Sequence, residues 1–301
     1  LAQFDVSEVV QALHQVRDEW RESQQRVKDP AARELPSIDA VQHIVEQLKG
    51  ALFPMRLGPT DLRHENEDYY VGYTLNAALQ ALVQQATLEL NFNARLHGQR
   101  DGAQLRSQAE AAVQTLVREL PTIRRLLDSD VLAAYRGDPA ALGVDEILLS
   151  YPGILAMIHH RIAHVLYRQG LRLLARMISE LAHSQTGIDI HPGAQIGSGF
   201  FIDHGTGVVI GETAEIGHNV RIYQAVTLGA RRFARDEAGN LLKGQPRHPV
   251  VEDDVVIYAG ATILGRVTLG KGAQIGGNVW VTESIPPGAS VSQASLQRDK
   301  P

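Results

Sequence analysis

The chain has 301 residues, enough for two ordinary cores, with 29 Lys and Arg against 34 Asp and Glu and a formal net charge of -5. Its charges are interspersed rather than blocked, which excludes the basic footprint of a nucleic-acid binder. Cysteine is absent, which excludes disulfides, thiolate nucleophiles and Cys-ligated zinc; no apolar run reaches membrane-spanning length, and a cytoplasmic protein with neither nucleic-acid nor membrane partners is expected.

Residues 1–185 predict helices, because apolar side chains recur at spacings of three and four. Val9, Leu13, Val16 and Trp20 form one stripe, expected, like the two that follow it, to be core or subunit contact. Leu75, Leu79, Leu82, Ala86 and Leu90 form a second, and Leu105, Ala109, Val113, Leu116 and Leu120 a third, with breaks such as Leu57-Gly58-Pro59-Thr60 between them. A further helical stretch follows Pro152-Gly153 and ends near Thr186-Gly187. His159, His160 and His164 include a His-xxx-His spacing, but no third ligand is evident, and a partly buried helix face explains them without a metal.

Beyond that point the period becomes six. Val251, Ile257, Ile263, Leu269, Ile275 and Val281 follow one another at this step, each preceded by two residues by Pro249, Val255, Ala261, Val267, Ala273 or Val279. Ile190, Ile196, Ile202 and Val208 keep the same step, and after a shift of two it resumes at Ile210, Ile216, Ile222 and Leu228. Such a period suits a parallel β-helix, in which three short strands complete a coil and coils stack at strand spacing. Between Leu228 and Val251 the phasing breaks, and residues 229–248 are expected to be a loop thrown out of the solenoid, a position that favours function. The expected organisation is α+β: an all-α region 1–185, a β-helix 186–285 and a C-terminal tail 286–301. His191 beside Pro192 and His218 in Gly217-His218-Asn219 read as turn residues, and Gly205 to Gly211 lacks the lysine and the following helix of a phosphate loop.

Four blocks carry a family resemblance: D-I-H-P-G-A at Asp189 to Ala194, D-H-G-T-G-V-V-I-G-E at Asp203 to Glu212, R-H-P at Arg247 to Pro249, and R-G-D-P at Arg136 to Pro139. With the hexapeptide run and R-I-A-H at Arg161 to His164, they closely resemble the serine acetyltransferase family, most strongly from about Tyr135 to Pro287. The resemblance implies a left-handed β-helix, homotrimers with active sites between neighbouring solenoids, and dimers of trimers paired through helical regions. It also implies transfer of an acetyl group from acetyl-CoA to L-serine, the first step of cysteine biosynthesis, with L-cysteine as a feedback inhibitor.

The chemistry follows from the acceptor. A serine hydroxyl needs a base near pH 7 to take its proton, and His204 matches the family's base. Asp189 precedes His204 by fifteen residues, a little less than one coil, so a β-helix would return the imidazole near that carboxylate, which would orient it. By position in the motifs, Asp138 and Asp203 would receive the ammonium of serine, and Arg247 and His248 its carboxylate. The oxyanion donor is left open between a backbone N–H and His248. Gly229, Ala230, Ala259 and Gly277 are the small residues expected beside the CoA arm, and no metal is expected.

Other readings have less support. A zinc carbonic anhydrase on this solenoid needs a His-xxxx-His pair that is absent. Another hydroxyl acceptor, such as homoserine or a sugar, keeps the chemistry, while retention of Asp189, His204 and His248 argues against a non-catalytic regulatory homologue. The end Q-R-D-K-P lacks the terminal isoleucine with which the family docks O-acetylserine sulfhydrylase, and G-A-S-V-S-Q-A-S replaces the usual G-V-P-A-R, so this partner is doubtful.

Overall fold

The computed structural model describes residues 4–24, 35–96, 102–232, 236–237, 239–242 and 244–294. Helix α1 (Ser7–Ser23) belongs to a unit of its own, Leu1–Glu34. The first apolar stripe does lie on this helix, but no residue of α1 is buried, and Trp20 is 58% exposed.

The second unit starts at Leu35. Helix α2 (Ile38–Leu52) begins at Ser37, whose hydroxyl accepts the Ala40 N–H, and buries Val41, Ile44, Val45 and Leu48. It is followed by the short α3 (Pro54–Leu57), a 3-10 turn at His64–Asn66, and α4 (Glu67–Leu96) and α5 (Gly102–Gly137). The other two stripes serve as core: Leu82 and Ala86 of α4 and Ala109, Val113, Leu116 and Leu120 of α5 are buried. After α6 (Val144–Ser150), helix α7 (Pro152–Arg168) is buried on nearly all sides, and α8 (Arg172–Thr186) packs along it. No side chain of its own caps α8; buried Glu89 of α4 does so, accepting from the N–H groups of Leu173 and Leu174 at 2.8 and 2.9 Å. Burial raises the Glu89 carboxyl, and these N–H donors oppose the rise.

Helix α8 ends at Gly187 in a left-handed conformation (φ 69°), and the strands begin. The first sheet contains β1 (Asp189–Ile190), β4 (Val209–Ile210), β7 (Thr227–Gly229), β10 (Thr262–Leu264) and β13 (Trp280–Val281). The second contains β2 (Gln195–Ile196), β5 (Glu215–Ile216), β8 (Val250–Val251) and β11 (Thr268–Leu269). The third contains β3 (Phe201–Ile202), β6 (Arg221–Ile222), β9 (Val256–Ile257), β12 (Gln274–Ile275) and β14 (Ser290–Val291). All pairings are parallel, and the chain visits the three sheets in turn, giving a left-handed parallel β-helix of triangular section. The residues at the six-residue step point inward, and nearly all are fully buried. Strand pairing continues beyond residue 285: Ile285 bridges Leu269, and β14 pairs with β12. The start of the expected tail 286–301 is therefore the corner of a coil, turned by Pro286, Pro287 and Gly288 (φ 67°), and residues 295–301 lie outside the described residues.

A buried ion pair joins helices to solenoid. Arg161 of α7 grips Asp130 of α5 with two parallel hydrogen bonds of 2.8 Å. Arg161 also donates to the carbonyls of Ile196 and Gly197, while Asp130 accepts from the Phe200 N–H. Burial raises the Asp130 carboxyl and the guanidinium opposes it. Each guanidinium nitrogen and both Asp130 oxygens have hydrogen-bond partners, which makes so buried a charge tolerable.

Candidate active site

The sequence's shift of two residues has a structural counterpart. Asp189 pairs with Val209 but Val209 pairs with Thr227, so the first coil is two residues longer than the next. The extra residues lie in the turn Asp203 to Gly207, between the third and first sheets. Gly205 has φ 91°, a backbone conformation that L side chains rarely adopt, and a Cβ there would also press on Ile188 Cδ1 at 2.5 Å. His204 has φ 58°, a value shared within a few degrees by Asn219, Ala225, Asp254 and Asn278, so this conformation belongs to the corners of the prism and is not special to the site.

The imidazole of His204 projects into solvent, its side chain 71% exposed, with Nε2 3.8 Å from Asp203 Oδ1. Asp203 is buried, and its other oxygen accepts from Arg221. Asp138 follows α5 on the same corner; its carboxylate accepts from the Tyr151 hydroxyl at 2.6 Å and from the Ala140 N–H at 2.8 Å. These bonds hold the Asp138 carboxyl below the usual range and push the Tyr151 hydroxyl up to about 12, so at neutral pH the acid is charged and the phenol is a donor. Tyr223 and Tyr258 stack beside them, ring centroids 5.3 Å apart.

The next corner, between the first and second sheets, is drier. His248 is 6% exposed, and its ring lies against the backbone of Gly211, where a Cβ would meet the ring at 2.0 Å. Its Nδ1 accepts from the Thr213 N–H at 3.1 Å, with the Thr213 hydroxyl at 2.9 Å. Desolvation and, after it, the Arg247 charge lower this imidazole to about 4, so it is neutral at pH 7 and carries its proton on Nε2. Arg247 donates to Glu212 at 2.6 Å, and Tyr167 donates to Glu212 at 2.7 Å. Burial opposes ionisation of Glu212, but these two hydrogen bonds hold its carboxyl below the ordinary value. His191, lowered to about 4 by desolvation and then Arg176, sits edge-on to Tyr167 and accepts the Gly193 N–H.

The structure thus divides the residues singled out in the sequence. Asp138, Asp203 and His204 share one corner, and Arg247 and His248 share another. The small residues divide likewise: Ala259 and Gly277 stack on the first corner, where a Cβ on Gly277 would meet the Ala259 carbonyl at 3.1 Å, while Gly229 and Ala230 leave β7 at the second. Among the described residues no hydrogen bond or ion pair joins Asp189 to His204. The lengthened turn carries the imidazole out at the corner, whereas Asp189 stays on the first sheet. There its carboxylate and the donor atoms of Glu180 and His183 all lie within 4.8 Å of one another, the one grouping among the described residues with three metal-capable ligands. Arg176 already donates to Glu180 at 2.6 Å. Arg221, Tyr151, Thr213 and Glu212 were missed as site residues; Glu212 lies inside the second motif block, but the others become visible only through contacts distant in sequence.

A parallel β-helix of hexapeptide repeats with an exposed imidazole at a widened corner defines an acyltransferase of the hexapeptide type, and residues 248–283 match the bacterial transferase hexapeptide (six repeats) family. The plasmid serine acetyltransferase of Synechococcus elongatus is 55% identical over 267 residues, covering 88% of this chain and 84% of that protein. The crystal structure of Entamoeba histolytica serine acetyltransferase 1 in complex with L-cysteine superimposes with a TM-score of 0.72 at 39% identity, over 83% of this chain and 86% of that one. Soybean serine acetyltransferase complexed with serine gives 0.54 at 31% identity, over 84% and 96%. The chain belongs to the serine acetyltransferase family. No helix among the described residues is long and apolar enough to cross a membrane.

Proposed function

We propose that this protein transfers the acetyl group of acetyl-CoA to the hydroxyl of L-serine, giving O-acetyl-L-serine and CoA, in the first step of cysteine biosynthesis. His204 takes the hydroxyl proton as serine oxygen attacks the thioester carbonyl. Collapse of the tetrahedral intermediate expels the CoA thiolate, which recovers that proton from the imidazolium. Asp189 is the proposed carboxylate that orients the ring once the exposed His204 side chain turns toward the first sheet. The ammonium of serine meets Asp138 and Asp203, its carboxylate meets Arg247 with the His248 ring alongside, and the CoA arm runs past Ala259, Gly277, Gly229 and Ala230. Neutral His248, with its proton on Nε2, has the right form to donate to the oxyanion.

The observation that carries this reading is the division between two corners. An exposed base with two carboxylates occupies one edge of the prism, an arginine and a neutral imidazole donor occupy another, and one chain leaves each set incomplete. A homotrimer would set the first edge of one copy against the second edge of its neighbour and complete the site. Cysteine differs from serine in one atom and keeps both charged groups, so feedback inhibition follows from the same contacts, as the cysteine-bound neighbour structure supports.

The test is release of CoA thiol from acetyl-CoA with L-serine, homoserine or a panel of sugars, with His204→Ala in parallel. Serine-dependent release that disappears in the variant is the expected result. Release with a different acceptor only would overturn the substrate, and release undiminished in His204→Ala would overturn the base.

A further inference from the structure

Arg221 is the outward residue of β6, in register with Phe201 of β3. Its Nη1 donates to the Gly137 carbonyl at 2.7 Å and its Nη2 to Asp203 Oδ2 at 2.5 Å. The guanidinium also lies over the rings of Phe201, at 4.8 Å, and Tyr223, at 4.6 Å. Two hydrogen bonds and two ring faces leave the planar fork a single orientation. Gly137 immediately precedes Asp138, and Asp203 immediately precedes His204. One side chain therefore ties the end of α5, with one ammonium-binding carboxylate, to the turn that holds the other carboxylate and the base.

We propose that Arg221 is a positioning residue of the acceptor site: it fixes Asp138 relative to Asp203 and His204 and, by neutralising Asp203, leaves Asp138 as the main partner of the substrate's ammonium group. The proposal rests on the acyl-transfer reading above. Asp203 spends one oxygen on Arg221 and turns the other to His204, so an arriving cation there meets a paired charge. Asp138 accepts only from neutral donors, a phenol and a backbone N–H, and keeps its full charge for a ligand. Its two acceptor bonds also set the direction of the carboxylate, which suits a receptor built before the substrate arrives.

The arrangement has a consequence for the base. The charged groups that face His204 are Asp203 on its own turn, Arg221 on β6 and Asp138 after α5, with Tyr151 and Tyr223 bordering them. Removing the guanidinium leaves Asp203 unpaired beside the imidazole, and the turn that carries the base loses its link to the end of α5.

Arg221→Met and Arg221→Lys separate these roles in the full-length protein. In Arg221→Met the serine KM should rise about tenfold, the value of one charged hydrogen bond, while the acetyl-CoA KM changes less than about twofold. Its kcat should fall as well, because the turn that carries His204 is no longer tied to α5. Arg221→Lys keeps the charge but not the fork, so serine KM should rise in this variant as well. Asp138→Asn should raise serine KM more than Asp203→Asn does. An unchanged serine KM in both Arg221 variants, or equal effects of the two Asn variants, would overturn the proposal. If thermal melting shows that Arg221→Met is unfolded, Arg221→Lys and the Asn pair still decide. Wild-type protein without serine-dependent thiol release would instead retire the acyl-transfer reading, whatever Arg221 does.

Discussion

His204 and His248 occupy two corners of one triangular prism, and their surroundings differ in nearly every respect that governs an imidazole. The first stands in solvent on a turn lengthened by two residues, next to a carboxylate already engaged by arginine. The second is buried against Gly211, accepts a backbone N–H on Nδ1 and is lowered to about 4 by desolvation. A base must exchange protons with the substrate, so exposure and access suit it; a donor to a developing oxyanion must stay neutral and fixed, so burial suits it. In the proposed reading the same residue type takes two chemical roles, because the solenoid puts one copy on a loose corner and the other on a packed one.

The comparison can be broken most directly at the base. His204→Ala should lower serine-dependent turnover by about 10²- to 10⁴-fold with the elution volume of the assembly unchanged. A loss below tenfold would make the exposed imidazole a bystander. His248→Asn should cost about 10²- to 10³-fold in kcat if its Nε2 proton faces the oxyanion. Co-refolding His204→Ala with His248→Asn sharpens the point, because mixed assemblies regain intact sites only when each site draws its two corners from different copies. Activity of the mixture no greater than that of its parents would place both corners in one chain's site.

A smaller effect concerns pH. His191 and His248 both have folded values of about 4 against an ordinary 6.5. The unfolded chain therefore takes up protons that the folded one refuses: stability is full above about pH 6.5 and falls as pH drops through about 4. Equilibrium unfolding in urea between these limits should show that slope, and it should flatten in His248→Asn. The least effect is expected on α1, where Trp20→Ala removes no buried contact and should change the unfolding free energy by less than about 0.5 kcal/mol. A larger loss would mean that the stripe is covered in the assembled protein.

Much of this was legible in the sequence. The six-residue step placed the inward residues from Ile190 to Val281, since each coil repeats one packing problem and the same solution recurs in the chain. The shift after Val208 marked the widened turn, although only the pairing of Asp189 with Val209 showed that the shift makes a corner project. The stripes of α4 and α5 supply core residues, one of the two roles expected of all three stripes, while no residue of α1 is buried although its stripe has the same period, because periodicity records a helix face and not what covers it.

The sequence by itself determined a helical region, a solenoid of hexapeptides, and the motif blocks that hold Asp138, Asp189, Asp203, His204, Arg247 and His248. Tertiary structure alone decided which of these stand together, because a β-helix returns residues to a corner according to coil length, and one widened coil lengthens the turn that carries the exposed His204. It also supplied contacts that no motif announces. Arg221 reaches Gly137, Arg161 reaches Asp130 and Glu89 caps α8, each across a long stretch of chain, since a buried charge takes whichever partner the fold brings within hydrogen-bond distance.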